Sequence, residues 1–250
     1  MSPKFRGMRL GKPHREGAGV DIGLALTYVT RDPQWVKKVV IGGVIVLVST
    51  LFTIILVGLL GWFIFGGYVV RTVRNVINGE PNPLPEWDDM GGDLSRGLKG
   101  FVGLVVWLAP VWILSICANV FSFSDSDGAN AFATILNLCF VTPLSLLLGT
   151  FVVPVIVGRF AETEEIGTMF QFNEIVADIR ATPLSAFLLY LVLSIITGLL
   201  AYVGLIACLI GVVFTIAYAQ YANAHGIGQI RQRTREGRYG PATPTSHPAF

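Results

Sequence analysis

The stretch Val39–Val70, VVIGGVIVLVSTLFTIILVGLLGWFIFGGYVV, runs for 32 residues without a charge. How often it crosses a bilayer decides the fold. A helix needs about 20 apolar residues to span the hydrocarbon core. One crossing would leave an overhang; two would make a tight hairpin, turning near Ser49–Thr53 or Gly58. The distribution of cations separates these readings, because Lys and Arg gather on the cytoplasmic side of a membrane protein. With a single crossing, the 18 Lys and Arg divide almost evenly between the two sides. With a hairpin, all of them fall on one side.

Three further uncharged stretches follow, Gly100–Ser124, Gly128–Gly158 and Ala181–Ala224. The last is about 66 Å long as one helix, twice the core thickness, and must fold back; a turn is expected near Thr197–Gly204. Composition agrees, with 53% hydrophobic and only 14% charged residues, against about a quarter charged in ordinary soluble domains. The expected fold class is an all-α integral membrane protein with about six transmembrane helices as three hairpins, both termini cytoplasmic. A basic N-terminal tail (1–19) precedes the polytopic membrane domain (20–230), and an Arg- and Pro-containing C-terminal tail (231–250) follows it.

Each hairpin is preceded by a short segment with amphipathic spacing. In the first, Ile22, Ala25, Leu26 and Val29 share a helical face, and Asp32 with Pro33 suits the start of a new helix. In the third, Met169, Phe172, Val176 and Ile179 share a face with Glu174 and Asp178 away from it; Thr182 and Pro183 restart the chain. The middle copy, DDMGGDLSRGLKGF, is short and glycine-rich. Such segments are expected to lie at the bilayer surface with their apolar faces among the headgroups.

Between the first two hairpins lies NGEPNPLPEWDDMGG (Asn78–Gly92). Pro81, Pro83 and Pro85 block helix continuation, so the helix bearing Arg71 and Arg74 should end near Gly79. Trp87 suits the headgroup level, and Asp88 or Asp89 can cap the next helix. The element Pro85, Glu86, Trp87, Asp88 and Asp89 therefore reads as an interfacial joint. A sharper reading groups Glu86, Asp89 and Asp93 as weak candidates for a divalent-metal cluster, since Asp89 and Asp93 stand one helical turn apart. Lys37, Lys38, Arg71 and Arg74 read as membrane anchors that meet anionic headgroups.

The segments GYVVRTVRNVINGE and LPEWDD, with DIGLALTYVTRDPQWVKKVVIGG upstream and AYAQYANAHGIGQ downstream, resemble a family of prokaryotic polytopic membrane proteins known as domain of unknown function 4013. The resemblance covers about Val20 to Gln229, and Pro85–Asp89 is its most distinctive part. It implies a prokaryotic inner membrane and a multi-helix fold, and it brings no activity with it.

The membrane cores hold no Asp, Glu, Lys, Arg or His, the groups on which proton relays and ion-coupled transporters rely. Asn119, Asn137, Thr142 and Ser145 are their main polar residues and are expected to join helices. Pro110, Pro143 and Pro154 can kink helices, and a broken-helix binding site around Pro143 is the sharper alternative. His225 reads as a rim hydrogen-bonding group, and Cys117, Cys139 and Cys208 as packing residues. No cofactor is expected. The leading reading is a non-enzymatic scaffold or accessory subunit of a membrane complex, whose partners are membrane lipids and other integral membrane proteins or itself, without nucleic acid. A transporter or channel for an uncharged or lipidic substrate, and a membrane-surface enzyme with an acidic metal site, are the alternatives.

Overall fold

The computed structural model describes residues 20–53, 57–123, 126–206 and 209–240, and these are almost wholly helical. The short helix α1 (Ile22–Arg31) is capped by Asp21, whose side chain accepts from the Leu24 amide. Helices α2 (Trp35–Phe52) and α3 (Val57–Ile77) then divide the long uncharged stretch. The break falls where the sequence permits a turn, with 54–56 outside the described residues. The two helices run antiparallel: Gly42 lies against Phe65, while Gly58 and Gly61 lie against Ser49.

The joint leads into α4 (Met90–Ser122), which is continuous for 33 residues. The expected separate amphipathic segment at its start is therefore simply its first turns. The glycines there do not break the helix, because they let it press on α3. A Cβ at Gly97 would lie 1.8 Å from the Phe63 carbonyl oxygen, and one at Gly67 equally close to that of Asp93. Close backbone approach of this kind is how helices associate where water cannot drive packing.

After a turn, one 37-residue helix runs from Asp127 to Thr163. It comprises α5 (Asp127–Leu136), α6 (Thr142–Leu147) and α7 (Val153–Thr163), joined by π-helical turns at Asn137–Val141 and Leu148–Val152. Each π turn ends just before a proline, Pro143 or Pro154. A proline lacks the amide that would continue the α ladder and crowds the preceding turn, and a π turn absorbs the misfit. A 3-10 turn (Ile166–Phe170) and α8 (Phe172–Ala181) lead to the final pair, α9 (Leu184–Ile206) and α10 (Leu209–Tyr239).

The final pair corrects the expected turn. The chain does not turn at Thr197–Gly204: α9 continues to Ile206. Thr197 bonds back to the Leu193 carbonyl within the helix, and Gly204 seats Thr215 of α10. Helix α10 also runs unbroken past Arg231 to Tyr239, so the first part of the expected C-terminal tail is helical. At the other end of the chain, α2 begins at Trp35 with Gln34 as its cap position; Asp32 instead closes the preceding turn by accepting from the Gln34 amide at 2.7 Å.

Among the described residues, four helical segments are long and apolar enough to cross a membrane: Trp35–Phe52, Met90–Ser122, Asp127–Thr163 and Leu184–Gly204. In α3 and α10 the apolar stretch gives way to Arg71 and Arg74, or to Gln220, Asn223 and His225. The outer surface is apolar, with Phe101, Val106, Ile113, Ile116 and Val120 of α4 all exposed. Apolar exposure on this scale marks a lipid or protein interface. The chain is a membrane protein.

Candidate functional site

The charged residues that flank the apolar helices come together in one layer at one end of the bundle. The joint forms its first part. Helix α3 ends at Ile77, and Gly79 takes φ 74°, so that the Glu80 amide reaches the Asn75 carbonyl. Glycine suits this left-handed position because it has no Cβ to clash. The extended proline segment then folds back on α3. The Pro83 carbonyl accepts from Asn75 Nδ2 at 2.9 Å, the Pro85 carbonyl from the Tyr68 hydroxyl at 2.8 Å, and Leu84 is buried.

Trp87 stacks on Tyr68 with centroids 3.9 Å apart and rings within 12° of parallel, and its Nε1 donates to the Lys38 carbonyl at 3.2 Å. Its ring thus serves the protein interior. Lys38 is buried and donates to Asp32 at 2.8 Å, to the Leu84 carbonyl at 2.8 Å, and pairs with Glu86 at 2.9 Å. Of the residues read as membrane anchors, only Lys37 has a largely exposed side chain. Lys38, Arg71 and Arg74 have their charges met within the protein.

Asp93 is fully buried and takes Arg71 at 2.8 Å and Arg96 at 2.7 Å, one on each oxygen. Arg71 also reaches Asp88 at 2.9 Å and the Glu86 carbonyl at 2.7 Å. Asp89 caps α4 by accepting from the Gly92 amide at 3.0 Å and holds Arg96 at 2.6 Å. The three carboxylates proposed for a metal are therefore occupied by cations of the chain. A divalent ion would have to displace Arg71, Arg96 and Lys38. Among the described residues no three His, Cys, Asp or Glu side chains are grouped as metal ligands.

A second buried carboxylate, Asp178 of α8, lies on the face away from Phe172 and Val176. Phe172 and Val176 are exposed, as the apolar face of a surface segment should be; Asp178 is fully buried inside the protein, where the sequence alone gives no ion pair for it. Three arginines account for this. Arg159 of α7 donates to it at 2.8 Å, and Arg231 and Arg238 of α10 each at 2.6 Å. Burial pushes the Asp178 carboxyl up, but the arginines outweigh it and hold it below its ordinary value. Arg159 also reaches Gln171 at 2.5 Å, Arg231 is held by Glu162 at 2.6 Å and Arg238 by Glu174 at 2.8 Å.

Glu164 joins the two clusters. It follows α7 in a left-handed conformation at φ 56°, uncommon outside glycine, and pairs with both Arg74 of α3 and Arg96 of α4. The left-handed turn closes α7, with the Glu164 amide bonded to the Phe160 carbonyl at 2.7 Å, and it brings the carboxylate to both arginines. Chemically, the layer is a closed clamp tying α2, α3, α4, α7, α8 and α10 together.

The polar residues of the apolar helices behave differently from expectation. Asn119 donates to the Ser115 carbonyl, Asn137 to that of Ala133, and Ser145 to that of Val141. Each contact lies within its own helix, so none of these joins two helices. Cys117 and Cys139 are exposed rather than packed, and Cys208 lies outside the described residues. His225 is buried beside Tyr28, with ring centroids 4.4 Å apart, and shares a 2.8 Å hydrogen bond with Gln229.

The reading of the sequence missed Asp178, Arg159, Glu164 and Arg231 as members of the site. A signal existed: each stands just outside an uncharged stretch, at the level where Arg71 and Asp93 also stand.

A sequence profile of the family described as "Protein of unknown function (DUF4013)" matches residues 50–210. The match contains the joint, Asp93 and Asp178. No curated protein and no solved structure matches the chain.

Proposed function

We propose that this chain, which belongs to the protein-of-unknown-function family DUF4013, is a scaffold or accessory subunit of a complex in a prokaryotic inner membrane. Its helices form six spans in three hairpins, with both termini cytoplasmic. The charged layer supports that orientation, since the turns at the opposite end of the bundle carry no Lys or Arg.

One observation carries the accessory role. On the flank made by α4, α5 and α6, the polar side chains Asn119, Thr142 and Ser145 are exposed among Ile116, Leu138, Phe140 and Leu146. Against lipid tails these groups gain nothing, and a facing helix would supply hydrogen-bond partners and close packing. The carboxylates of the layer argue against the enzyme reading, because those in the joint and around Asp178 are each held by a cation of the chain.

The test is site-specific photo-cross-linking in native membranes. A photoreactive residue at Ile116 or Leu146 should trap a discrete protein adduct, whereas one at Val44 or Val48 of α2, exposed on another side, should not. An adduct of twice the chain's mass would identify the partner as a second copy. Adducts of lipid alone at every position would refute the reading.

A further inference from the structure

The helices enclose a cavity of about 530 Å³ between α3, α4, α7, α9 and α10. Most of its wall is apolar, including Trp62, Phe63, Phe101, Leu104, Val157 and Phe160. Small residues make the room: Gly66, Gly97 and Gly100 line it where α3 and α4 approach most closely. Leu59 and Phe101 line the cavity and are also exposed on the lipid-facing surface, so the space opens sideways toward the bilayer.

Two amides of α10, Gln220 and Asn223, interrupt this apolar wall. Gln220 stands eleven residues from Leu209 at one end of the helix and eleven from Arg231 in the charged layer. At 1.5 Å per residue that is about 16 Å each way, well removed from the charged layer. Asn223 is held by Thr197, whose hydroxyl donates to Oδ1 at 3.3 Å. Gln220 has no hydrogen-bond partner among the described residues and is exposed at the cavity. An unpaired amide is costly in an apolar wall, and a ligand oxygen or hydroxyl there would complete its hydrogen bonds. Packing does not call for it: the neighbouring wall is apolar, and a leucine would fit the same environment.

We infer that this cavity binds an uncharged, apolar small molecule carrying one hydrogen-bonding oxygen, such as a ketone, an ester or a long-chain alcohol, with that oxygen on the Gln220 amide. The apolar body lies along Phe63, Phe101 and Leu104. A charged ligand is disfavoured because no described residue lining the cavity carries a countercharge. Access is from the lipid side, past Leu59 and Phe101. Binding here does not depend on the partner flank of α4 to α6.

Prodan, an uncharged naphthalene ketone, tests this with the full-length chain in detergent. Its emission should shift to the blue with saturable, single-site binding, and light absorbed by Trp62 should sensitise it. Gln220→Leu should weaken binding about tenfold while raising the thermal midpoint, because an unpaired amide has been removed. Gly66→Phe should abolish saturable binding with little change in midpoint. A Cβ at Gly66 meets only Gly97 Cα, at 3.9 Å, so the ring enters the cavity rather than the helix contact. Emission that follows micelle concentration alone would overturn the site, as would wild-type affinity in either variant. A Gln220→Leu protein with a lowered midpoint and unchanged affinity would show instead that the amide is structural.

Discussion

Replacing Asp178 with asparagine keeps the shape of the side chain and removes only its charge. In the native layer that carboxylate, with no exposed surface, receives Arg159, Arg231 and Arg238 at 2.6 to 2.8 Å. A hydrogen bond to a charged group contributes about 1.5 to 3 kcal/mol net, but three such bonds to one carboxylate do not add. Each arginine also keeps a second partner: Arg159 has Gln171, Arg231 has Glu162, and Arg238 has Glu174. The expected loss is therefore that of breaking one buried ion pair, about 3 to 5 kcal/mol. For a chain of this size each kcal/mol shifts the midpoint by about 2 to 4 °C, giving a drop of about 10 °C. Thermal unfolding in detergent, followed by tryptophan fluorescence, measures it. Glu174→Gln is the internal comparison, because it removes an exposed partner of the same Arg238 and should cost less than about 1 kcal/mol. A drop of under about 3 °C for Asp178→Asn, or equal drops for the two variants, would refute the view that the buried carboxylate organises the layer.

Acid should weaken the layer in a definite window. Asp178 lies below its ordinary value of 3.8, where burial pushes it up and Arg159, Arg238 and Arg231 pull it further down. Glu86, Asp88 and Asp89 are also lowered, chiefly by Lys38, Arg71 and Arg96 respectively. At these four the unfolded chain takes up protons at higher pH than the folded one, so their stability is intact above the ordinary carboxylate range and fades as pH falls through it; Asp93, raised by burial, opposes them there. The midpoint should hold steady down to about pH 5 and fall below about pH 4, less steeply in Asp178→Asn; a loss completed above pH 5 would contradict this. In the joint, Trp87→Ala removes the stack on Tyr68 and the bond to the Lys38 carbonyl and should cost about 3 kcal/mol. Glu86→Gln should cost less than about 1 kcal/mol, because Lys38 keeps Asp32 and the Leu84 carbonyl. Equal costs, measured by denaturant titration, would mean that charge rather than the stack holds the joint.

The helices, the proline-driven stop after α3 and the cap at Asp89 were legible because each rests on a local rule: apolar length, the missing proline amide, a side-chain oxygen facing free amides. What failed depended on partners distant in sequence. Thr197 and Gly204 look like turn residues in isolation, yet they sit inside α9 because α10 packs on them with Asn223 and Thr215. Lys38 looks like a headgroup anchor until Asp32 and Leu84 close around it. The glycines at the start of α4 suggest a weak helix until Phe63 and Gly67 fill the space that a Cβ would take. The members of the charged layer could be found one by one at the borders of uncharged stretches, but not who pairs with whom.

The two short amphipathic helices show why periodicity alone could not orient them. Helix α1 turns its apolar face inward, burying Ala25 and Val29, with Ile22 and Leu26 packed against the same core. Helix α8 has a comparable pattern and does the reverse, burying Asp178 and exposing Phe172 and Val176. The difference lies in what surrounds each one. Phe172 rests on Trp107 of α4 at a ring separation of 5.2 Å, and Trp107 donates to the Met169 carbonyl at 2.8 Å. Trp107 lies well inside the uncharged part of α4, so α8 begins at the depth of the apolar belt. There an outward Phe172 meets lipid and loses nothing, while an inward carboxylate gains three arginines. Helix α1 has its first residues tied to Gln229 near the charged end of α10, at the level of the layer, where an outward apolar face would meet water. The same spacing of apolar residues thus yields opposite orientations, and the side that wins is set by the solvent outside and the charges inside.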